Sequence, residues 1–348
     1  MSNWKNITLD INATVSDAIK ILNKNSTVLI SNKDNKLLGV ITDRDIRKMF
    51  LQTKSIEDNI SKLMNKKPTK LLYPLSEKKI QKIKDKNLFK IYPVVNKNNE
   101  IVDVYTNKQI ENFTFENLVI IMAGGKGSRL GSLTMDCPKP LLKIGGKTIL
   151  DTIIHNFSQH NFNNFVISVN YFGYKIKEYF KNKKPKNIII DFVEEHKPLG
   201  TAGSLGLLEK KPKAPFFLIN GDILTKVNFS QMLNFHISHK ALITVGVREY
   251  LQKIPFGVLE TKGINIKSIK EKPTMKSFIN GGIYIIDPQV LNYIPKGEFK
   301  HITEVIEILL KEKFKVIGFP IHEYWIDVGQ HNDLQKAETE FEENFFNG

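Results

Sequence analysis

Leu118-Val-Ile-Ile-Met-Ala-Gly-Gly-Lys-Gly-Ser-Arg-Leu130 decides how this chain is read. The apolar run Leu118–Met122 predicts a buried strand, and it breaks directly into a turn containing Gly124, Gly125 and Gly127. Glycines at such a turn let main-chain N–H groups approach an anion. Two common phosphate loops fail here. A dinucleotide fingerprint needs a glycine where Leu130 stands, and a P-loop ending in Gly146-Lys147-Thr148 needs one where Leu141 stands.

The residues around the turn carry it further. Arg129 offers a planar fork for phosphate, in a chain with only four arginines (Arg44, Arg47, Arg129 and Arg248). Pro138-Lys139-Pro140 sets a lysine between two fixed φ angles, where it can lie along an α-phosphate and neutralise charge as pyrophosphate leaves. Beyond the turn, apolar runs alternate with helical patterns: Phe165–Val169, Ile188–Phe192, Phe216–Asn220, Ala241–Val247 and Gly282–Ile286. That alternation predicts an α/β sheet open to ligands at its strand ends.

Two of the later runs end in carboxylates, Asp222 after Phe216-Phe-Leu-Ile-Asn-Gly and Asp327 in Tyr324-Trp-Ile-Asp-Val-Gly. Beside a triphosphate, such a pair suits one Mg2+ shared with the phosphates. Glu194-Glu-His-Lys-Pro-Leu-Gly200-Thr-Ala-Gly203 resembles the base-binding strand and loop of the sugar nucleotidyltransferase family, where glycines allow a flat base to stack against backbone. A carboxylate at Glu195, or at Glu194 instead, can accept from the two adjacent donors of guanine, so GTP is the expected nucleotide.

Together, the Gly-rich turn, Pro-Lys-Pro-Leu, Gly-Gly-Lys-Thr-Ile-Leu and the two aspartate motifs resemble the sugar nucleotidyltransferase family. The resemblance implies a Rossmann-like (GT-A-like) α/β fold with a mixed, mostly parallel sheet over residues 118–348. It also implies Ala123, Gly124, Gly125, Gly127, Ser128, Glu195, Gly200 and Thr201 around the nucleotide, Arg129 and Lys139 as catalytic cations, and Asp222 and Asp327 as metal ligands. By the same likeness, Gly257, Glu271, Lys272, Asn280 and Gly282 would receive a sugar 1-phosphate, with His301 and Thr303 bordering that pocket.

Residues 1–112 contain a repeat at an offset of 64: Val28-Leu-Ile-Ser-Asn-Lys-Asp-Asn-Lys-Leu-Leu-Gly-Val-Ile-Thr42 lines up with Tyr92-Pro-Val-Val-Asn-Lys-Asn-Asn-Glu-Ile-Val-Asp-Val-Tyr-Thr106. Each copy predicts strand, turn, strand, because β-branched runs flank an Asn/Lys cluster. A helix is expected ahead of each, capped by Thr14 and by Ser76. The half resembles an α+β pair of CBS repeats, a regulatory module. The resemblance implies an adenine nucleotide at Thr42 and Asp45; the second copy departs from the pattern at Asp103 and Gln109. A purely structural or dimerising pair is the other reading. The combined architecture resembles the guanylyltransferases of the legionaminic acid pathway, which implies glucosamine 1-phosphate as substrate, with mannose or heptose 1-phosphate as alternatives.

Composition narrows the remaining classes. The net charge of +15 is spread out: 21 basic and 13 acidic side chains precede residue 118, and 30 and 23 follow. With lysine so dominant over arginine, that is no base-reading surface, and no nucleic-acid partner is expected. No apolar run approaches the ~20 residues of a membrane span, and the first residues lack signal-peptide blocks. The lone Cys137 excludes an intramolecular disulfide and a multi-cysteine zinc site. A cytoplasmic enzyme, assembled as a homo-oligomer, is expected. The rival is a catalytically silent nucleotide-sensing subunit, which would be expected to have lost Lys139, Asp222 or Asp327.

Overall fold

A computed structural model describes residues 4–51, 55–74, 91–106, 114–183 and 187–345, in two compact units, Met1–Phe113 and Thr114–Gly348. Among the described residues, no helix is long and apolar enough to cross a membrane.

The first unit follows its repeat. Thr27–Ser31 pairs antiparallel with Leu37–Thr42, and Ile91–Val95 pairs antiparallel with Ile101–Thr106. The copies meet turn to turn: Leu37 N–H donates to Asn99 O and Ile101 N–H to Asn35 O, each at 2.9 Å. At an offset of 64 these bonds are symmetry mates, so a local two-fold passes between the bridged residues Lys36 and Glu100. Asn35 and Asn99 both lie in the left-handed region that asparagine tolerates in turns. Leu37, Val40, Ile101 and Val104 share one buried cluster, which neither copy could close alone. Thr14 and Asp17 form the expected capping box ahead of helix Val15–Leu22. Ser76 with its predicted helix, and Gln109, lie outside the described residues.

The second unit is built on a seven-stranded sheet in the order Ile189–Glu194, Asn164–Val169, Val119–Met122, Phe216–Asn220, Thr274–Ile286, Ile243–Lys253, Val316–Ile321. Thr274–Ile286 alone runs against the others. The mixed, mostly parallel α/β sheet expected from the sequence is therefore present. Alternate residues divide between two cores. Val119, Ile121, Phe217 and Ile219 pack under helices Ile149–Gln159 and Phe229–His239, while Ile120, Phe216 and Leu218 pack under Ile302–Lys311. A two-residue period with both faces buried makes these strands read as unbroken apolar runs.

From Val119–Met122 the chain steps outward through Asn164–Val169 to Ile189–Glu194, then returns to Phe216–Asn220 on the other side. This reversal opens a crevice at the carboxyl ends of Val119–Met122 and Phe216–Asn220, the usual ligand position in such sheets. Two features were not anticipated: the edge strand Val316–Ile321, and the ribbon where Ile243–Lys253 and Thr274–Ile286 run on into the hairpin Val258–Lys262/Asn265–Lys270.

Candidate active site

Met122 and Asn220 are paired in register, so the turns that follow them leave the sheet side by side. Gly221 N–H donates to Met122 O at 2.9 Å, and a Cβ on Gly221 would lie 2.6 Å from that oxygen. Only glycine allows the two strand ends to approach this closely. Gly127 takes φ +66° to start the short helix Ser128–Thr134, and Thr134 Oγ1 donates to Gly127 O at 3.0 Å. Between these turns lies a cavity of about 260 Å³ lined by Met122, Ala123, Gly125, Lys126, Gly127, Ser128, Arg129, Lys139, Pro140, Gly221, Asp222 and Gly329. Its glycines and cations suit a chain of phosphates.

Asp222 leaves the sheet into strand Ile223–Thr225, which pairs antiparallel with Trp325–Asp327. This small ladder brings Asp327 beside Asp222. Lys139 Nζ, on a nearly buried side chain, lies 2.6 Å from Asp222 Oδ2. Asp222 Oδ1 and Asp327 Oδ1 are buried and have no hydrogen-bond partner among the described residues. Burial, and next the negative charge of Asp222, push the Asp327 carboxyl above its ordinary value; Lys139 and Arg129 oppose that. Two adjacent carboxylates with buried oxygens lacking a donor fit a hard divalent cation. A methyl placed on Gly329 would lie 3.5 Å from Arg129 Nη1, 3.5 Å from Asp327 Oδ1 and 3.6 Å from Asp333 Oδ2, so these charges converge around that glycine.

Other predicted residues lie elsewhere. Glu195 was expected to offer its carboxylate to a base. It is instead 6% exposed, with Ser168 Oγ donating to Oε1 at 2.6 Å and Leu199 N–H to Oε2 at 3.1 Å. In this structure it anchors the loop that follows, and a Cβ on Gly124 would lie 3.2 Å from its Oε1. Glu194, the alternative reader, is exposed and paired with Lys177 at 2.6 Å, which holds its carboxyl below the usual range. Thr201 was expected on the nucleotide; its Oγ1 accepts from Ile302 N–H at 3.0 Å, and Gly200 packs against Lys300 O. That glycine sits at φ +75°.

The expected sugar-phosphate residues fall into two groups. Gly282 packs against Asn220 next to Gly221, and Asn280 Oδ1 accepts from Gly282 N–H at 3.0 Å. Gly257 and Glu271 are neighbours at the base of the exposed hairpin, with Lys272 beside them at φ +42°. None of the five lines the phosphate cavity. In the first unit, Asp45 Oδ2 accepts from both the main-chain N–H and the hydroxyl of Thr42, at 2.9 and 2.7 Å.

Lys126, Gly221, Gly329 and Asp333 were missed. Gly221 and Gly329 adjoin the aspartates and were read as parts of motifs only. Lys126 and Asp333 had no signal apart from their place in three dimensions.

A nucleotidyl transferase model matches residues 118–344, and a CBS domain model matches residues 2–52. The chain is 33% identical over 223 residues to a mannose-1-phosphate guanyltransferase of Schizosaccharomyces pombe, covering 62% of this chain and 61% of that protein. It is likewise 33% identical over 227 residues to the Saccharomyces cerevisiae protein of the same name, covering 62% of each. The match thus spans less than two thirds of these relatives. Among solved structures, HddC from Yersinia pseudotuberculosis matches with a TM-score of 0.51 and 26% identity, over 65% of this chain and 99% of that one. A second structure of HddC, complexed with GMP-PN, matches over the same shares at 25% identity and a TM-score of 0.51. On the matched two thirds of its length, this chain belongs to the nucleotidyl transferase family, with a CBS domain ahead of the transferase fold.

Proposed function

We propose that the chain is a guanylyltransferase that joins GTP and a sugar 1-phosphate to give a GDP-sugar and pyrophosphate. One observation carries the reading: Lys139, Asp222, the Gly-rich turn and Arg129 share a single cavity at the sheet's reversal, with Asp327 beside Asp222. GTP is supported by the names of the relatives and by the GMP-PN complex of HddC. Two acceptors are proposed. Glucosamine 1-phosphate follows from the CBS-linked architecture, which would place the enzyme in legionaminic acid or other surface-glycan synthesis; mannose 1-phosphate follows from the relatives.

A sugar-phosphate oxygen attacks the α-phosphorus in line, forming the new P–O bond as the bond to the β-phosphate oxygen breaks. The attacking phosphate is already ionised at neutral pH, so no general base is needed. Main-chain N–H groups of Gly124–Ser128 hold the triphosphate, while that of Ala123 donates to Ser168 O at 2.8 Å and fixes the start of the turn. Arg129 and Lys139 balance the charge that moves to pyrophosphate. Asp222 and Asp327 would hold Mg2+, which would supply withdrawal of charge from the phosphate oxygens. Glu195 holds the base loop, and its remaining lone pairs are available to guanine. Asn280 and Gly282 border the sugar, and Gly257, Glu271 and Lys272 close over it from the hairpin. Thr42 and Asp45 are a candidate adenine-nucleotide site in the CBS unit.

The test is a grid of nucleoside triphosphates against sugar 1-phosphates with Mg2+, following pyrophosphate release. Release confined to GTP with one sugar supports the reading. Release with UTP or dTTP instead moves the base assignment, and binding without release in every well supports a nucleotide sensor.

A further inference from the structure

Resting on the reading of this site as a metal-dependent transferase, we propose that Lys139 is a stand-in cation. In the nucleotide-free protein it occupies the charge position that a divalent ion takes over, and it passes Asp222 to the ion as it moves to the phosphates. Lys139 is 7% exposed and its Nζ is 2.6 Å from Asp222 Oδ2. The other oxygen, Asp222 Oδ1, is buried and unbonded, as is Asp327 Oδ1 beside it. Lys139, paired with Asp222, and Arg129, which meets Asp327 and Asp333 around Gly329, thus already offset much of the negative charge of these carboxylates.

A divalent ion entering alone would set two further positive charges against a nearly buried ammonium. Like charges a few ångströms apart in a poorly solvated site repel strongly. The ion binds well only when a triphosphate arrives with enough negative charge for both cations. The main chain at Lys139 is held by Pro138 and Pro140 and by the bonds Leu141 N–H to Pro138 O (2.8 Å) and Leu142 N–H to Lys139 O (3.0 Å). The hand-off is therefore a side-chain swing. Both its ends lie in one cavity, since Lys139, Asp222 and the Gly-rich turn line the same space.

This gives Lys139 a signature opposite to that of a residue supporting metal binding. Mn2+ affinity is measured on the full-length, nucleotide-free protein by calorimetry or by the free-ion paramagnetic resonance signal. Lys139→Met is expected to bind Mn2+ at least about tenfold tighter than the unmodified protein, and Asp222→Asn more weakly. Lys139→Gln removes the charge while keeping a hydrogen-bonding end, and it decides the matter if circular dichroism shows the Met variant unfolded. Unchanged or weaker Mn2+ binding on loss of the charge overturns the proposal. Pyrophosphate release by the unmodified protein is a separate readout: its failure would remove the transferase reading, whereas its presence with unchanged Mn2+ affinity would remove only the hand-off.

Discussion

Asp222 and Asp327 are joined through the main chain: Ile223 pairs with Asp327, and Val328 N–H donates to Asp222 O at 3.0 Å. The main-chain positions that carry their carboxylates therefore cannot part without breaking a strand pairing, although neither presents Oδ1 to a donor among the described residues. A fold that holds two such groups together against their repulsion stores an affinity for a cation.

Asp222→Asn should keep the fold, since the side-chain change leaves the Ile223–Asp327 pairing intact. Pyrophosphate release should fall by at least about 10²–10³-fold, the scale of losing one preorganised electrostatic contact. Wild-type turnover in a folded Asp222→Asn protein would remove this carboxylate from the metal site.

Asp327→Asn should make the metal-free protein more heat-stable at neutral pH. The folded-state pKa of Asp327 is raised, so its ionised form costs stability, and the cost grows as pH rises from the ordinary carboxylate range through the raised value. The same variant should lose the stabilisation that Mg2+ with GTP gives the parent. Melting curves at neutral pH, with and without both ligands, check the two halves.

His236 sets an acid limit on stability. It is buried, its Nδ1 is 2.8 Å from Thr244 Oγ1, and burial pulls its pKa down to about 4. The unfolded chain takes up this proton near pH 6.5 and the folded one only near 4, so the contribution is complete above about pH 6.5 and lost as pH falls through that interval. Urea unfolding between pH 7 and 4 should lose up to about 3 kcal/mol on this account, and a His236→Leu variant should show a flatter profile.

Gly221→Ala and Gly125→Ala should separate packing from ligand contact. A Cβ at 221 meets Met122 O at 2.6 Å, so the two strand ends must part. Stability should fall by about 1–3 kcal/mol, and turnover by roughly tenfold or more as Asp222 shifts. A Cβ at 125 meets nothing within 4 Å. That variant should melt like the parent and lose affinity for GTP only.

The legible parts were those that main-chain chemistry writes locally. Phe216–Asn220 was bounded correctly, because an apolar run ends at Gly221; the neighbouring Asn164–Val169 and Ile189–Glu194 shifted by no more than two residues. The repeat showed in the Asn turns, although its two-fold became visible only in the Asn35 and Asn99 bonds. The hairpin Val258–Lys262/Asn265–Lys270 was missed because its residues are almost all exposed and carry no burial period. The second role of Glu195, as anchor of the loop after it, was not legible for a different reason. Sequence shows that a carboxylate is present but cannot show Ser168 reaching it from the neighbouring strand, or the loop folding Leu199 N–H back onto it.

The most direct measurement of the central claim is a 31P NMR time course of the protein with GTP, Mg2+ and a sugar 1-phosphate. Pyrophosphate and the diphosphate diester of a GDP-sugar should rise together in equal amounts while GTP and sugar 1-phosphate fall. Formation of GDP with inorganic phosphate, or unchanged spectra with glucosamine, mannose and heptose 1-phosphates alike, would contradict it.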